Sequence, residues 1–127
     1  MANRKKLVLI AEAEQTFSRA LNSRLVKAGY EVTTEIDGVR AHTSLKARMP
    51  DAIVLDCILP GIRGMDVLKM LKSSKRTKNI PVIFICETDD TTLVKESQKH
   101  GASASLRKGH DAIGQIIEEV TRLIQSK

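Results

Sequence analysis

The run AIVLDCILPGIRG at residues 52–64 narrows the folds open to this chain more than any other stretch. Ala52, Ile53, Val54 and Leu55 carry no charge and favour strand, a single acid follows at Asp56, and Pro60, Gly61 and Gly64 then break the chain. An uncharged run of this kind reads as a strand buried on both faces, which means a central parallel strand covered by helices. Asp56 stands where such a strand leaves the sheet. In open parallel sheets the crevice at the carboxyl ends of the strands is where ligands bind. An isolated aspartate there would only end the strand and open a turn, so the rest of the sequence decides whether Asp56 is isolated.

Apolar periodicity organises the remainder. LVLIA at 7–11 reads as a first strand ending in Glu12 and Glu14, and Phe17, Leu21, Leu25 and Ala28 mark one face of a helix over 13–28 that Gly29 stops. Residues 31–36 (EVTTEI) read as a more polar strand near the sheet edge. Asp37 is a candidate cap for a helix to about Arg48, which Met49 and Pro50 end. Val67, Leu68 and Leu71 predict a third helix over 65–74, and VIFIC at 82–86 is a second uncharged, buried strand. An acidic loop, Glu87, Thr88, Asp89 and Asp90, follows it. The helix expected over 91–100 has only Leu93 and Val94 as large apolar residues, so it should be the least firmly held. Gly101 stops it, and 102–107 is a weak, small-residue strand. Ile113, Ile116, Ile117, Val120, Leu123 and Ile124 mark a strongly amphipathic last helix from Asp111.

Alternating units of this kind, joined by right-handed crossovers, make a doubly wound α/β fold, a parallel sheet with helices on both faces. Its 127 residues, 42% of them hydrophobic, suffice for one domain spanning 1–127 and one core. Aromatic residues are only 2%, so Leu, Ile, Val, Met and Ala must build that core. No apolar run is long enough to cross a membrane and no signal-peptide pattern opens the chain, so a cytoplasmic location is expected. Cys57 and Cys86 lack the spacing of a metal knuckle and are expected as reduced thiols, and His42, His100 and His110 are scattered. The net charge of +6 is spread along the chain without interleaved aromatics, which argues against nucleic acid as the partner. The basic run at 72–78 reads as a solvated helix end and loop.

The topology gathers Glu12, Asp56, the 86–90 segment and Lys108 at the carboxyl ends of strands one, three, four and five. Two carboxylates brought together repel unless a cation or a raised pKa relieves them. Lys108 and a divalent ion are the available remedies, and Mg²⁺ with a few carboxylate oxygens suits a carboxylate that accepts a phosphoryl group. A purely structural ion pair between Lys108 and an acid is the competing account.

In this order and at these intervals, LVLIAEAE, AIVLDCILPGIRGMDVLKML, NIPVIFICE and HGASASLRKG resemble the CheY-like response-regulator receiver domains over essentially the whole chain. The resemblance implies a flavodoxin-like sheet of order 2-1-3-4-5 with five helices. It implies that Asp56 is the phosphoacceptor, that Lys108 contacts the phosphoryl group, and that Glu12, Asp56 and the Ile58 backbone carbonyl hold Mg²⁺. It also implies a non-enzymatic, two-component signalling role. The partners would be a sensor histidine kinase or phosphotransfer protein, and a downstream protein or output domain.

The departures from the family pattern concern metal, phosphate and switch together. Ala13 stands where the family has a second acid, and Glu14 is one residue further on. Cys86 takes the position of the Ser or Thr that bonds the phosphoryl group, and a thiol is a weaker donor. Ser105 replaces the switching aromatic residue, and Gly109 replaces a proline that usually follows a cis bond, so a looser, trans loop is expected. The weak fourth helix and Ser105 together predict a mobile face made by helix four, strand five and helix five. One lost donor can cost roughly 3 to 4 kcal/mol of transition-state stabilisation, so phosphorylation of Asp56 is expected to be slow or unused. A phosphorylation-independent pseudo-receiver scaffold is the main alternative, with nucleic-acid binding and thiol sensing by Cys57 and Cys86 as further ones. A flavodoxin-type cofactor protein is disfavoured, because EAEQTF is not a phosphate loop and aromatics are nearly absent.

Overall fold

The computed structural model describes residues 4–87 and 91–126. The strands are β1 (Leu7–Ala11), β2 (Glu31–Glu35), β3 (Ala52–Asp56), β4 (Val82–Cys86) and β5 (Ala104–Arg107). They alternate with helices α1 (Gln15–Lys27), α2 (Gly38–Ala47), α3 (Gly64–Ser73), α4 (Thr91–Lys99) and α5 (Ala112–Gln125). The five strands form one sheet in the order β2-β1-β3-β4-β5, every pairing parallel. This is the doubly wound order implied by the family resemblance.

Strand periodicity divides the core in two. Leu9, Ala11, Ile53, Leu55, Val82 and Phe84 face Ala41 and Leu45 of α2 and Val67, Leu68 and Leu71 of α3. The alternate residues, including Val8, Ile10, Val54, Ile83 and Ile85, face Leu21 and Leu25 of α1 and Ile116 and Val120 of α5. β1, β3 and β4 are buried along their whole length, which is why they read as uncharged runs. β2 is only partly covered and keeps its polar residues.

Local punctuation follows the chain chemistry. The Asp37 side chain accepts a 2.7 Å hydrogen bond from the Arg40 N–H and so caps α2. Gly29 and Gly101 end α1 and α4 with φ of 101° and 98°, a region that costs glycine little. Some expected boundaries move. The predicted strand over 102–107 begins at Ala104, because Ala102 still bonds back to the Ser97 carbonyl at 2.9 Å as part of the helix exit. The β2 strand stops at Glu35, and Ile36 is exposed. The helix expected from residue 13 begins at Gln15, since Glu12 and Glu14 are held in the turn before it. Lys72 is not simply solvated: its ammonium donates to the carbonyls of Lys78 at 3.0 Å and Ile80 at 2.7 Å, and burial pushes its pKa down.

α4 buries only Ser97, whose hydroxyl lies 2.6 Å from that of Ser105 on β5 and 2.8 Å from the Val94 carbonyl. The residue in the aromatic switch position is thus one half of a hydroxyl pair that ties α4 to the sheet. Among the described residues every peptide bond is trans, Lys108–Gly109 included, and no helix is long and apolar enough to cross a membrane.

Gly64 is where α3 starts, directly beneath the loop that leaves β3. A methyl built on it meets the Asp56 carbonyl oxygen and lies 2.8 Å from the Cys57 Cα, and both are backbone atoms that cannot swing aside. Gly64→Ala is therefore expected to destabilise the fold by about 3 kcal/mol, read as a lower urea midpoint with an unchanged denaturant slope. A midpoint within error of the parent would show that α3 can slide away without cost.

Candidate functional site

The register of the sheet assembles the site. Ala11 pairs with Leu55, so the next residues, Glu12 and Asp56, emerge side by side at the carboxyl end of β1 and β3. Glu12 continues the sheet for one bond, donating its N–H to the Glu35 carbonyl at 3.0 Å. Cys86 pairs with Arg107 on β5, and the Lys108 N–H donates to the Cys86 carbonyl at 2.7 Å, which carries the Lys108 side chain over the same end. The three side chains meet: Lys108 Nζ is 2.8 Å from Glu12 Oε1 and 3.4 Å from Asp56 Oδ2. Glu12 and Asp56 are buried, to 1% and 5% exposure, and the side chain of Lys108 is 6% exposed. Asp56 Oδ1 accepts from the Ile58 N–H at 3.1 Å, which fixes the carboxylate plane.

Three partners of this cluster were not singled out as such in the sequence. Glu14 Oε1 lies 3.6 Å and Glu87 Oε1 4.0 Å from Lys108 Nζ, and the ammonium sits 4.5 Å above the centre of the Phe17 ring. Glu14 reaches the cluster because its own N–H donates to Glu12 Oε2 at 3.0 Å, closing a tight turn. Phe17 carried only a core signal, since helical spacing says nothing about a cation above the ring. Thr88, Asp89 and Asp90 of the expected acidic loop lie outside the described residues.

Within the cluster, Glu12 and Lys108 have displaced titrations. Burial and the hydrogen bond with Asp56 push Glu12 up to about 7, against the pull of Lys108 and the Glu14 N–H. For Lys108 burial works against the ammonium, but the Glu12 hydrogen bond and the charges of Asp56, Glu12 and Glu14 outweigh it and raise the pKa. Near neutral pH the cluster thus holds one ammonium, with a proton on Glu12 that is readily lost. The linkage has a definite sign. Between the ordinary carboxyl value of 4.5 and about 7 the folded chain binds a proton that the unfolded chain has released. Stability contributed by that proton is full below the ordinary value and is lost as pH rises through the folded pKa. The unfolding free energy from urea titrations is expected to fall from pH 5 to pH 7.5 by an amount on the order of 2–3 kcal/mol, and Glu12→Gln to remove most of the slope. A parent curve as flat as that of the variant would refute the raised titration.

A cleft of about 200 Å³ opens onto this cluster, lined by Glu12, Glu14, Asp56, Ile58, Glu87 and Lys108. Cys86 is not in its wall. It is buried beneath, in the α2–α3 half of the core, and Cys57 packs against the same cluster at the strand ends. The neighbouring Cys86 thiol, set against burial and the nearby Asp56, lowers the Cys57 pKa. The cleft is hard-oxygen chemistry: Glu12, Asp56 and the main chain at Ile58 suit a divalent cation such as Mg²⁺, and Glu14 stands near the place left by Ala13. No cluster of three or more His, Cys, Asp or Glu side chains with metal-binding arrangement occurs among the described residues. A metal here would therefore lean on two carboxylates, a carbonyl and water. Cleft and cluster together offer a buried carboxylate, an ammonium beside it, and room for a tetrahedral anion.

Known proteins match both the sequence and the fold. The family model described as "Response regulator receiver domain" matches residues 8–121. The response regulator PleD of Caulobacter vibrioides is 32% identical over 106 residues, 84% of this chain and 23% of that protein. The phosphate regulon transcriptional regulatory protein PhoB of Rhizobium meliloti is 32% identical over 78 residues, 61% of this chain and 34% of its own length. The chain therefore spans only a quarter to a third of these relatives. Among solved structures, a putative response regulator from Chloroflexus aurantiacus superposes with a TM-score of 0.89 at 25% identity, covering 96% of this chain and 99% of that one. The receiver domain of the Francisella response regulator 1452 gives 0.87 at 27% identity, with 96% and 98% covered. Fold, cleft and these matches agree that the chain belongs to the response regulator receiver domain family of two-component phosphorelay signalling.

Proposed function

We propose that Asp56 accepts a phosphoryl group and that this chain signals, in its phosphorylated state, through binding of another protein or domain. The observation that carries the reading is the Asp56 carboxylate, buried to 5% exposure at the end of the central strand, with Lys108 Nζ 3.4 Å away in an anion-sized cleft. In transfer, an Asp56 carboxylate oxygen bonds to phosphorus as the donor's leaving group departs. Lys108 neutralises a phosphoryl oxygen, moving from carboxylates to phosphate as a point charge. Receiver domains bind Mg²⁺ at this acidic site. Here Glu12, Asp56 and the Ile58 carbonyl would hold the ion, and when bound it would neutralise charge on the transferring group. Because Glu12 titrates near 7, the proton competes with the ion, and the missing acid at Ala13 keeps the affinity modest.

A relative supports the chemistry: the cyanobacterial phytochrome response regulator RcpA, 25% identical with a TM-score of 0.82, is known in phosphorylated form. Receiver domains interact with histidine kinases or phosphotransfer proteins and with output domains. For this chain a sensor kinase or phosphotransfer donor in the cytoplasm is the proposed source, and a partner protein the proposed reader. On this reading the chain is a switch that carries one phosphoryl group and not an enzyme turning over a metabolite. The test is intact mass after incubation with a small phosphodonor and Mg²⁺. A gain of one phosphoryl group, mapped to the peptide bearing Asp56, is expected. No gain on folded protein would overturn the reading in favour of a phosphate-independent scaffold.

A further inference from the structure

Cys57 and Cys86 lie just outside the carboxylate and lysine cluster, and the phosphoacceptor chemistry leaves their thiols unused. We propose that these two residues form a reversible disulfide, a redox modification site set one residue beyond Asp56. The pairing of β3 with β4 places Asp56 opposite Ile85. The Cys57 N–H donates to the Ile85 carbonyl at 2.9 Å, repeating the pattern by which Ile53, opposite Val82, donates to Pro81 at 2.9 Å. Cys57 and Cys86 therefore face each other across one strand spacing of about 4.8 Å. That lies inside the roughly 4.4–6.8 Å Cα separation that disulfides span. Strand alternation puts both side chains on the same face of the sheet, with Leu55 and Phe84, where Cys57 packs against the cluster that holds Cys86. Both stand at strand ends, where the turn after Cys57 can absorb the small approach of Cβ atoms that an S–S bond requires.

Access to the pair is unequal. Cys57 is half-buried and forms part of the wall of a cavity of about 460 Å³ whose apolar side is Met65, Phe84 and Leu93. Cys86 is 5% exposed and lies behind it. A hydroperoxide is the proposed oxidant, small enough to enter the cavity beside Cys57. The Cys57 sulfur attacks the outer peroxide oxygen, the O–O bond breaks, and the departing oxygen takes the thiol proton to leave as water or alcohol. The Cys86 sulfur then attacks the Cys57 sulfur, the S–O bond breaks, and hydroxide leaves as water with the Cys86 proton. Two electrons pass from the sulfurs to the peroxide.

The bridge ties the turn that carries Ile58, a residue of the cleft wall, to the end of β4. Phosphoryl uptake by Asp56 therefore slows; this consequence, unlike the bridge itself, rests on the phosphoacceptor reading.

The test uses the whole chain, reduced, freed of reductant, treated with equimolar hydrogen peroxide and then alkylated after denaturation. The count of alkylated cysteines is expected to fall from two to none, with a Cys57–Cys86 cross-linked peptide in the non-reducing digest and recovery of both after dithiothreitol. Cys57→Ser and Cys86→Ser are each expected to lose the cross-link. Two alkylated thiols, oxygen added to Cys57 without a bridge, or a dimer joined through Cys57 would each overturn the proposal. Uptake from a small phosphodonor, measured on the same samples, is expected to fall about tenfold or more on oxidation and to return on reduction. A reduced chain that takes up no phosphoryl group defeats the phosphoacceptor reading and leaves the bridge assay standing. A bridged chain with undiminished uptake overturns the coupling alone.

Discussion

Asp56→Asn is expected to take up no phosphoryl group from a small donor with Mg²⁺, where the parent gains one. The acyl phosphate forms through a carboxylate oxygen, and the neutral amide offers no equivalent nucleophile. The neighbouring acids cannot substitute. Glu12 is 1% exposed and committed to Lys108 at 2.8 Å and the Glu14 N–H at 3.0 Å, while Glu14 stands outside the buried cluster. The variant should remain folded, because Asp56 is one of the groups that push Glu12 up to about 7. Without that charge Glu12 ionises more easily and pairs with Lys108, so stability at pH 7 is expected to match or exceed the parent by up to about 1 kcal/mol. Intact mass and a urea titration on the same preparation check both halves. Retained uptake in the folded variant would mean that another acid is the acceptor.

Lys108→Gln is expected to slow uptake by about 10²–10³-fold, the effect of removing one preorganised charge from a transferring anion. Lys108 Nζ is within 4.0 Å of Glu12, Glu14, Asp56 and Glu87, so its loss leaves carboxyls facing one another without a counter-charge. Breaking a buried pair outright costs about 3–5 kcal/mol, but Glu12 can take up a proton in place of the ammonium. The stability loss should therefore be smaller, about 1–3 kcal/mol, and should grow as pH rises above 7. Lys108→Arg keeps the charge but brings a planar fork where a point charge fits, and an intermediate, roughly tenfold loss of rate is expected. The two variants separate a role in transfer from one in holding the fold. A merely structural lysine would lower the urea midpoint while the uptake rate of the folded fraction stayed that of the parent.

Much of this architecture was legible in residue order. Uncharged runs at 7–11, 52–55 and 82–86 announce strands buried on both faces, and glycines 29 and 101 announce helix ends. Ile113 to Ile124 recur at a spacing that only a helix can use to bury one face. Glu12, Asp56 and Lys108 were identifiable as a group because each stands at the carboxyl end of a strand, and parallel topology sends all strand ends to one side. Weak elements are less legible: Ala102 and Ser103 are small enough for strand or helix exit, and the bonds from Ala102 to Ser97 and from Ser103 to Val82 of β4 decide between them.

Sequence by itself determined the repeat of strand and helix, the two-faced core and the set of residues at the carboxyl edge, because those follow from apolar periodicity and handedness. Tertiary structure alone decided the rest. Residues distant in the chain touch only once register is set, and register is a property of paired strands. That pairing set Cys57 against Cys86 and Ser97 against Ser105, brought Glu14 and Phe17 to Lys108, and buried Glu12 deeply enough to raise its pKa to about 7. A carboxyl's titration depends on how much water the fold removes and which charges it brings within a few ångströms, and neither quantity is written at position 12.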